Sequence, residues 1–162
     1  MPEGKALVLF CTKNGNTEKV AQRIHDTLRK AGMEVSITRI NKDLEVEYLN
    51  YNLSFLGAPE VPGVAAVPFC TFGGVRTDYN EAVPMLKHIG QYFEHEGIRV
   101  VDDVAVVGVF PEADESYNTE WIFGDIRRRP DEHELLEVEG KVRGILRRLH
   151  RVLPLGNLDL GH

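Results

Sequence analysis

Residues 5–17 read KALVLFCTKNGNT, a nearly continuous apolar run followed by a short polar loop. An apolar run of this length, residues 5–11, is typical of a strand that is buried on both faces of a parallel sheet. From Thr17 onward apolar residues recur at helical spacing, and Gly32 can end the helix. The segment therefore predicts a strand, a loop and a helix, with the loop at the N-terminus of the helix.

The rest of the chain repeats this alternation of strands and helices. Helices are predicted from Pro84 to Gly97 and from Asp131, whose spacing to Glu134 is that of a capping box. Further strands are predicted over residues 34–40, 53–58, 64–71 and 104–110. This order indicates an α/β fold with a doubly wound parallel sheet and a ligand site beyond the carboxyl ends of its strands.

Composition and charge limit the class of protein. The chain has 162 residues, 43% of them hydrophobic and 27% charged, which is ordinary for a single domain over residues 1–162. Its formal net charge of −6 disfavours a nucleic-acid partner, because a phosphate backbone attracts clustered Lys and Arg. The longest apolar run, 104–110, is too short to span a bilayer, and the first ten residues lack the pattern of a secretory signal. We therefore expect a soluble cytoplasmic protein without nucleic-acid binding or membrane insertion.

The side chains that could bind a metal are scattered. Cys11 and Cys70 each end an apolar run and have no CxxC spacing, and the six histidines lack HxH or HxxxH spacing. We expect two buried free thiols and no metal site. We also find no Ser-His-Asp or Cys-His arrangement, so no catalytic residue is predicted.

The polar loop, residues 12–17, carries the strongest functional signal. It comprises Thr12, Lys13, Asn14, Gly15, Asn16 and Thr17. Its hydroxyls, amides and backbone N–H groups can converge on an anion at a helix N-terminus. It lacks the glycines of a GxGxxG loop and the Lys of a GxxxxGK[ST] loop. The alternative is an ordinary turn in which Asn16 or Thr17 caps the helix.

This loop resembles the phosphate-binding signature of flavodoxins, strand-[TS]-x-T-G-N-T-helix. The chain reads T-K-N-G-N-T, so that only Asn14 departs from the pattern. The resemblance extends over residues 4–110 by strand order and through the C-terminal helix by topology. It implies a five-stranded parallel sheet of order 2-1-3-4-5 with helices on both faces, and non-covalently bound FMN.

The resemblance also implies that two further loops hold the isoalloxazine ring. The corresponding residues are Ala58, Pro59, Glu60 and Val61 after the third strand, and Thr71, Phe72, Gly73 and Gly74 after the fourth. Phe72 or Tyr79 could stack on the ring, although either aromatic side chain suits a core position equally well.

The connection between the third and fourth strands is unusually short. Only residues 59–63 remain there, whereas a parallel crossover needs a dozen or more residues and usually a helix. The helix between strands 3 and 4 is therefore missing from the prediction. Either a segment has been removed, or part of one sheet face is left for a partner to cover.

The resemblance implies an electron carrier that works with redox partner proteins, as a monomer or a homodimer. One alternative is an FMN-dependent NAD(P)H:quinone-type oxidoreductase, in which Trp121 and the loop 111–130 would line a substrate pocket. A second alternative is an interaction domain that has this fold and no flavin. The acidic charge favours basic redox partners.

Overall fold

The computed structural model describes residues 4–40, 53–55, 65–73, 78–95, 97–120, 122–153 and 155–160. The predicted α/β class with parallel strands is confirmed, and the described residues contain three α-helices. The strands are β1 (Lys5–Phe10), β2 (Glu34–Arg39), β3 (Leu53–Phe55), β4 (Ala65–Ala66), β5 (Phe69–Phe72), β6 (Arg99–Val100) and β7 (Val104–Val107). The helices are α1 (Asn16–Lys30), α2 (Val83–His95) and α3 (Glu132–Leu149).

All the strand pairs among the described residues are parallel. Five strands form a sheet of order β2-β1-β3-β4-β6, and β5 pairs with β7. The predicted strand 64–71 is thus divided into β4 and β5 around Pro68, which has no N–H to donate to a ladder. Ala66 is in register with Val100 and Phe69 with Val104, so residues 67–68 lie opposite residues 101–103. This extra residue is a bulge, and the ladder is interrupted there, so that β4 with β6 and β5 with β7 form separate pairs.

The predicted strand 104–110 ends early, at Val107. Gly108 still donates its N–H to the Phe72 carbonyl at 2.9 Å, but Val109 donates to the Arg129 carbonyl at 3.0 Å. The chain therefore leaves the sheet after Gly108 and passes over the carboxyl ends of the strands.

The core has two sides, because side chains alternate along each strand. On one side α1 packs on β1, while α3 packs on α1 and β7. The buried residues of these helices include Val20, Ile24 and Leu28 from α1 and Val142, Ile145 and Leu146 from α3. On the other side α2 packs on β4, where Phe93 lies against Ala66 and Ile98. No helix in the described part of the chain is long and apolar enough to cross a bilayer.

The helix starts follow local sequence signals. Asp131 accepts a hydrogen bond from the His133 N–H at 2.8 Å, and Glu134 accepts one from the Asp131 N–H at 2.9 Å, so the predicted capping box is present. Pro84 is the second residue of α2, in the first turn as predicted, where its missing N–H costs nothing. The short connection 59–63 lies outside the described residues.

Candidate functional site

The polar loop folds into a tight turn between β1 and α1. The Thr12 hydroxyl accepts a hydrogen bond from the Gly15 N–H at 3.0 Å, and the Asn14 side-chain oxygen accepts one from the Asn16 N–H at 3.2 Å. Gly15 has φ of 84°, a left-handed conformation that glycine adopts without strain. The loop is therefore ordered by its own polar groups before any ligand is considered.

Several backbone donors of this loop remain available. The first helical bond runs from the Lys19 N–H to the Gly15 carbonyl at 3.1 Å. Within the described residues, the N–H groups of Lys13, Asn14, Thr17 and Glu18 meet no acceptor. Four free donors at the positive end of a helix dipole suit an anion such as a phosphate.

The polar loop is fixed to the segment that follows β7. The Asn16 amide donates to the Val109 carbonyl at 2.9 Å, and the Asn14 amide does so at 3.4 Å. Asn16 is only 4% exposed, and its amide lies against Gly108, where an added Cβ would stand 3.0 Å from Nδ2. A glycine at position 108 therefore allows the close approach that holds Asn16 in place.

A second contact joins the polar loop to the end of β5. The hydroxyls of Thr17 and Thr71 lie 3.0 Å apart and share a hydrogen bond. The structure thus brings the predicted phosphate-binding and ring-binding loops together at the carboxyl ends of β1 and β5.

A cavity opens beside this contact. Its volume is about 380 Å³, within the range of small-molecule sites. Polar groups of Thr17 and Thr71 lie at one part of its wall, and Phe72 borders it as well. Its apolar wall includes Leu9 of β1, Met85 and Ile89 of α2, and Ala82, which directly precedes α2. An apolar wall with a few polar groups suits a flat ring system that carries a polar tail.

The two aromatic residues predicted for the ring differ in position. Phe72 borders the cavity and packs edge-on against Phe123, with ring centroids 6.2 Å apart. Tyr79 does not line this cavity, and its hydroxyl donates to the Asp103 carboxylate at 2.5 Å, just before β7 begins. Partial burial, and then the hydrogen bond to Asp103, raise the pKa of Tyr79. The structure does not bring Tyr79 to the polar loop, and Ala58, Pro59, Glu60, Val61 and Gly74 lie outside the described residues.

Two aromatic residues near the site carry no local signal in the sequence. Phe110 and Tyr117 have ring centroids 5.8 Å apart, and an added Cβ on Gly73 would lie 3.4 Å from Phe110 Cβ and 3.5 Å from Tyr117 Cε1. Asn118 accepts from the Phe110 N–H at 2.9 Å and donates to its carbonyl at 3.0 Å. Phe110, with 47% of its surface exposed, is therefore held firmly next to the predicted ring-binding residue Gly73.

Arg39 is a further residue that the sequence did not indicate. It is the last residue of β2, and its guanidinium Nη2 donates to the Thr12 carbonyl at 2.9 Å. An arginine at the end of a half-exposed strand looks like a surface residue in the sequence, and only the parallel pairing of β1 with β2 brings it to the polar loop.

The prediction of two buried thiols is wrong for Cys11. Cys11 is exposed, because β1 ends at Phe10 and the next residue already lies beyond the sheet, at the cavity wall. Cys70 is buried, and burial, followed by the negative charge of Asp103, raises its pKa to about 11.

These environments predict different reactivities toward a thiol reagent. At pH 8 only about one part in a thousand of Cys70 is thiolate, so we expect one fast-reacting thiol in each native chain. The measurement is colorimetric thiol titration of the chain and of its Cys11→Ser and Cys70→Ser variants. Fast labelling of the Cys11→Ser chain would contradict the assignment.

No protein-family model matches the chain, and no curated protein matches it in sequence. Solved structures do match its fold. A flavodoxin of Streptococcus pneumoniae TIGR4 superposes with a TM-score of 0.63 at 14% identity, over 90% of this chain and 99% of that one. A flavodoxin from the domain Archaea superposes with a TM-score of 0.57 at 12% identity, over 90% of this chain and 99% of that one. A flavo di-iron protein of Thermotoga maritima gives 0.53 at 10% identity, over 91% of this chain and 36% of that one.

Proposed function

Because the chain has the flavodoxin-like fold, we propose that it binds FMN non-covalently and serves as an electron carrier between redox proteins. The observation that supports this most directly is the junction of the polar loop with the end of β5, through Thr17 and Thr71. That junction places free backbone donors and an apolar cavity next to each other, as a phosphorylated ring compound requires.

In this proposal the polar loop holds the FMN phosphate. The free N–H groups of Lys13, Asn14, Thr17 and Glu18 supply donors, and the hydroxyls of Thr12 and Thr17 can donate as well. Gly15 and Asn16 keep the turn in shape. Since these donors are already oriented, little conformational entropy is lost when the phosphate binds.

The cavity beside Thr71 would take the isoalloxazine ring. Phe72 and Gly73 follow Thr71 at the carboxyl end of β5, and the apolar wall formed with Leu9 and α2 would keep water from one face of the ring. The ring contacts predicted for residues 58–61 and Gly74 remain part of the proposal. FMN supplies the redox chemistry when it is bound, and the chain supplies binding, orientation and electrostatics.

We also propose that the chain keeps the strand order 2-1-3-4-5. The carbonyls of Ala66 and Pro68 accept hydrogen bonds from Val101 and Val104 at 3.0 and 2.9 Å, on either side of the break in the ladder. β4 with β5, and β6 with β7, then behave as two bent strands. This arrangement supports a site at the carboxyl ends, where the order of connections reverses.

An absorbance spectrum tests FMN binding. The purified chain is recorded before and after incubation with excess FMN and desalting, and we expect flavin absorbance equivalent to one FMN per chain. A protein that remains colourless after incubation would overturn the proposal. The Gln22→Ala chain, changed on the exposed side of α1, serves as a control that should load equally.

Anaerobic reduction tests the carrier function of the loaded protein. We expect dithionite to bleach the flavin and NAD(P)H alone to leave it oxidised. Direct bleaching by NAD(P)H would contradict the carrier function and favour an FMN-dependent NAD(P)H:quinone-type oxidoreductase.

A further inference from the structure

Arg39 stands at the rim of the polar loop because of the register between β1 and β2. It is in register with Phe10, and the Ile40 N–H continues the pairing by donating to the Phe10 carbonyl at 2.8 Å. From this position its guanidinium Nη2 reaches the Thr12 carbonyl at 2.9 Å.

The charge of Arg39 is not neutralised by a carboxylate of the described residues. Other arginines of the chain differ in this respect: Arg23 pairs with Glu132 at 2.8 Å, and Arg129 pairs with Glu134 at 3.1 Å. In a chain of net charge −6, an unpaired cation at the loop offsets the repulsion that a phosphate dianion would otherwise meet.

The hydrogen bond to Thr12 adds a second effect. The Thr12 carbonyl belongs to the same peptide group as the Lys13 N–H, which is one of the free donors of the loop. A charged donor on the carbonyl polarises that peptide group, and this strengthens its N–H as a donor to an anion.

We propose that Arg39 makes this site selective for the phosphorylated flavin, FMN, over riboflavin, through its charge and its bond to the Thr12 carbonyl. The inference rests on the proposed function. Riboflavin ends in a neutral hydroxyl at the place of the phosphate, so it gains little from either effect. Arg39 is a positioning residue, since its guanidinium binds the Thr12 carbonyl of the loop.

The test is a comparison of dissociation constants for FMN and riboflavin, measured by quenching of flavin fluorescence. We expect Arg39→Gln to weaken FMN binding about 5- to 30-fold and riboflavin binding less than about twofold. The dissociation constant of Arg39→Lys for FMN should lie between those of wild type and Arg39→Gln, because lysine keeps the charge but lacks the planar guanidinium. Arg29→Gln removes the same charge at the exposed far end of α1 and should leave both constants unchanged.

Added salt supplies a readout that a purely structural role would not move. FMN binding by wild type should weaken more steeply with ionic strength than FMN binding by Arg39→Gln. If Arg39→Gln loses the same factor of affinity for FMN and for riboflavin, the inference is overturned, and Arg39 then serves only to hold the loop in shape. Wild-type protein that binds FMN no more tightly than riboflavin would overturn it as well, with flavin binding itself intact. Wild-type protein that binds neither flavin would overturn the proposed function and the inference together.

Discussion

Replacing Phe93 by alanine is expected to lower the free energy of unfolding by about 3–5 kcal/mol, the cost of emptying a buried aromatic site. Phe93 is fully buried on α2, where it packs against Ala66 and Ile98 between the helix and the sheet. Its neighbours include Val100 of β6 and Ala66 of β4, and residues held in a sheet cannot move far into the cavity. The measurement is urea unfolding followed by circular dichroism.

The neighbouring residue provides the matched control. Tyr92 is 57% exposed on the same helix, and Tyr92→Ala should change the free energy of unfolding by less than about 1 kcal/mol. Similar losses in the two variants would contradict the packing of α2 on β4 and β6. A loss of less than about 1 kcal/mol in Phe93→Ala would also contradict that packing.

Replacing Asn16 by alanine is expected to weaken FMN binding about 10- to 100-fold, which corresponds to roughly 1.4–2.7 kcal/mol. Asn16 is almost fully buried, and its amide donates to the Val109 carbonyl at 2.9 Å. Its loss leaves that carbonyl with only the longer bond from the Asn14 amide, at 3.4 Å, and so weakens the attachment of the polar loop to the segment after β7. The measurement is titration of flavin fluorescence.

The control for Asn16→Ala is Gln22→Ala, which removes an amide side chain from the exposed surface of the same helix. FMN affinity should not change in that variant. A variant that adds bulk provides an independent check: Gly108→Ala pushes on the Asn16 amide and should also weaken FMN binding, whereas Gly140→Ala, with open space around it, should not. Unchanged affinity in both Asn16→Ala and Gly108→Ala would show that the loop does not hold the phosphate.

Local signals predicted the helices well. The apolar stripe that begins near Thr17 predicted α1, and the spacing of Asp131 and Glu134 predicted the start of α3. The strands were predicted less well, because an apolar run shows burial without showing where pairing begins or ends. Pro68 and the bulge opposite it divided one predicted strand, and the Val109 bond to Arg129 ended another.

The candidate site shows the same limit. The polar loop could be read directly, because its residues are consecutive and its turn closes through bonds between neighbours such as Thr12 and Gly15. Phe110, Tyr117 and Arg39 could not be found in this way, since each reaches the site through contacts with residues far away in the chain. Tyr79 was predicted near the ring by its place after the fourth strand, and only the tertiary structure shows that its hydroxyl binds the Asp103 carboxylate.

The sequence by itself determined the α/β class, the three helices and the position of the polar loop at the start of α1, because hydrophobic periodicity and capping are properties of neighbouring residues. The tertiary structure alone decided that Asn16 meets Val109, that Thr17 meets Thr71 and that Arg39 meets Thr12. Those contacts depend on strand register and on the path of the chain after β7. Periodicity records which face of an element is buried, but it does not record which distant backbone group that element will meet.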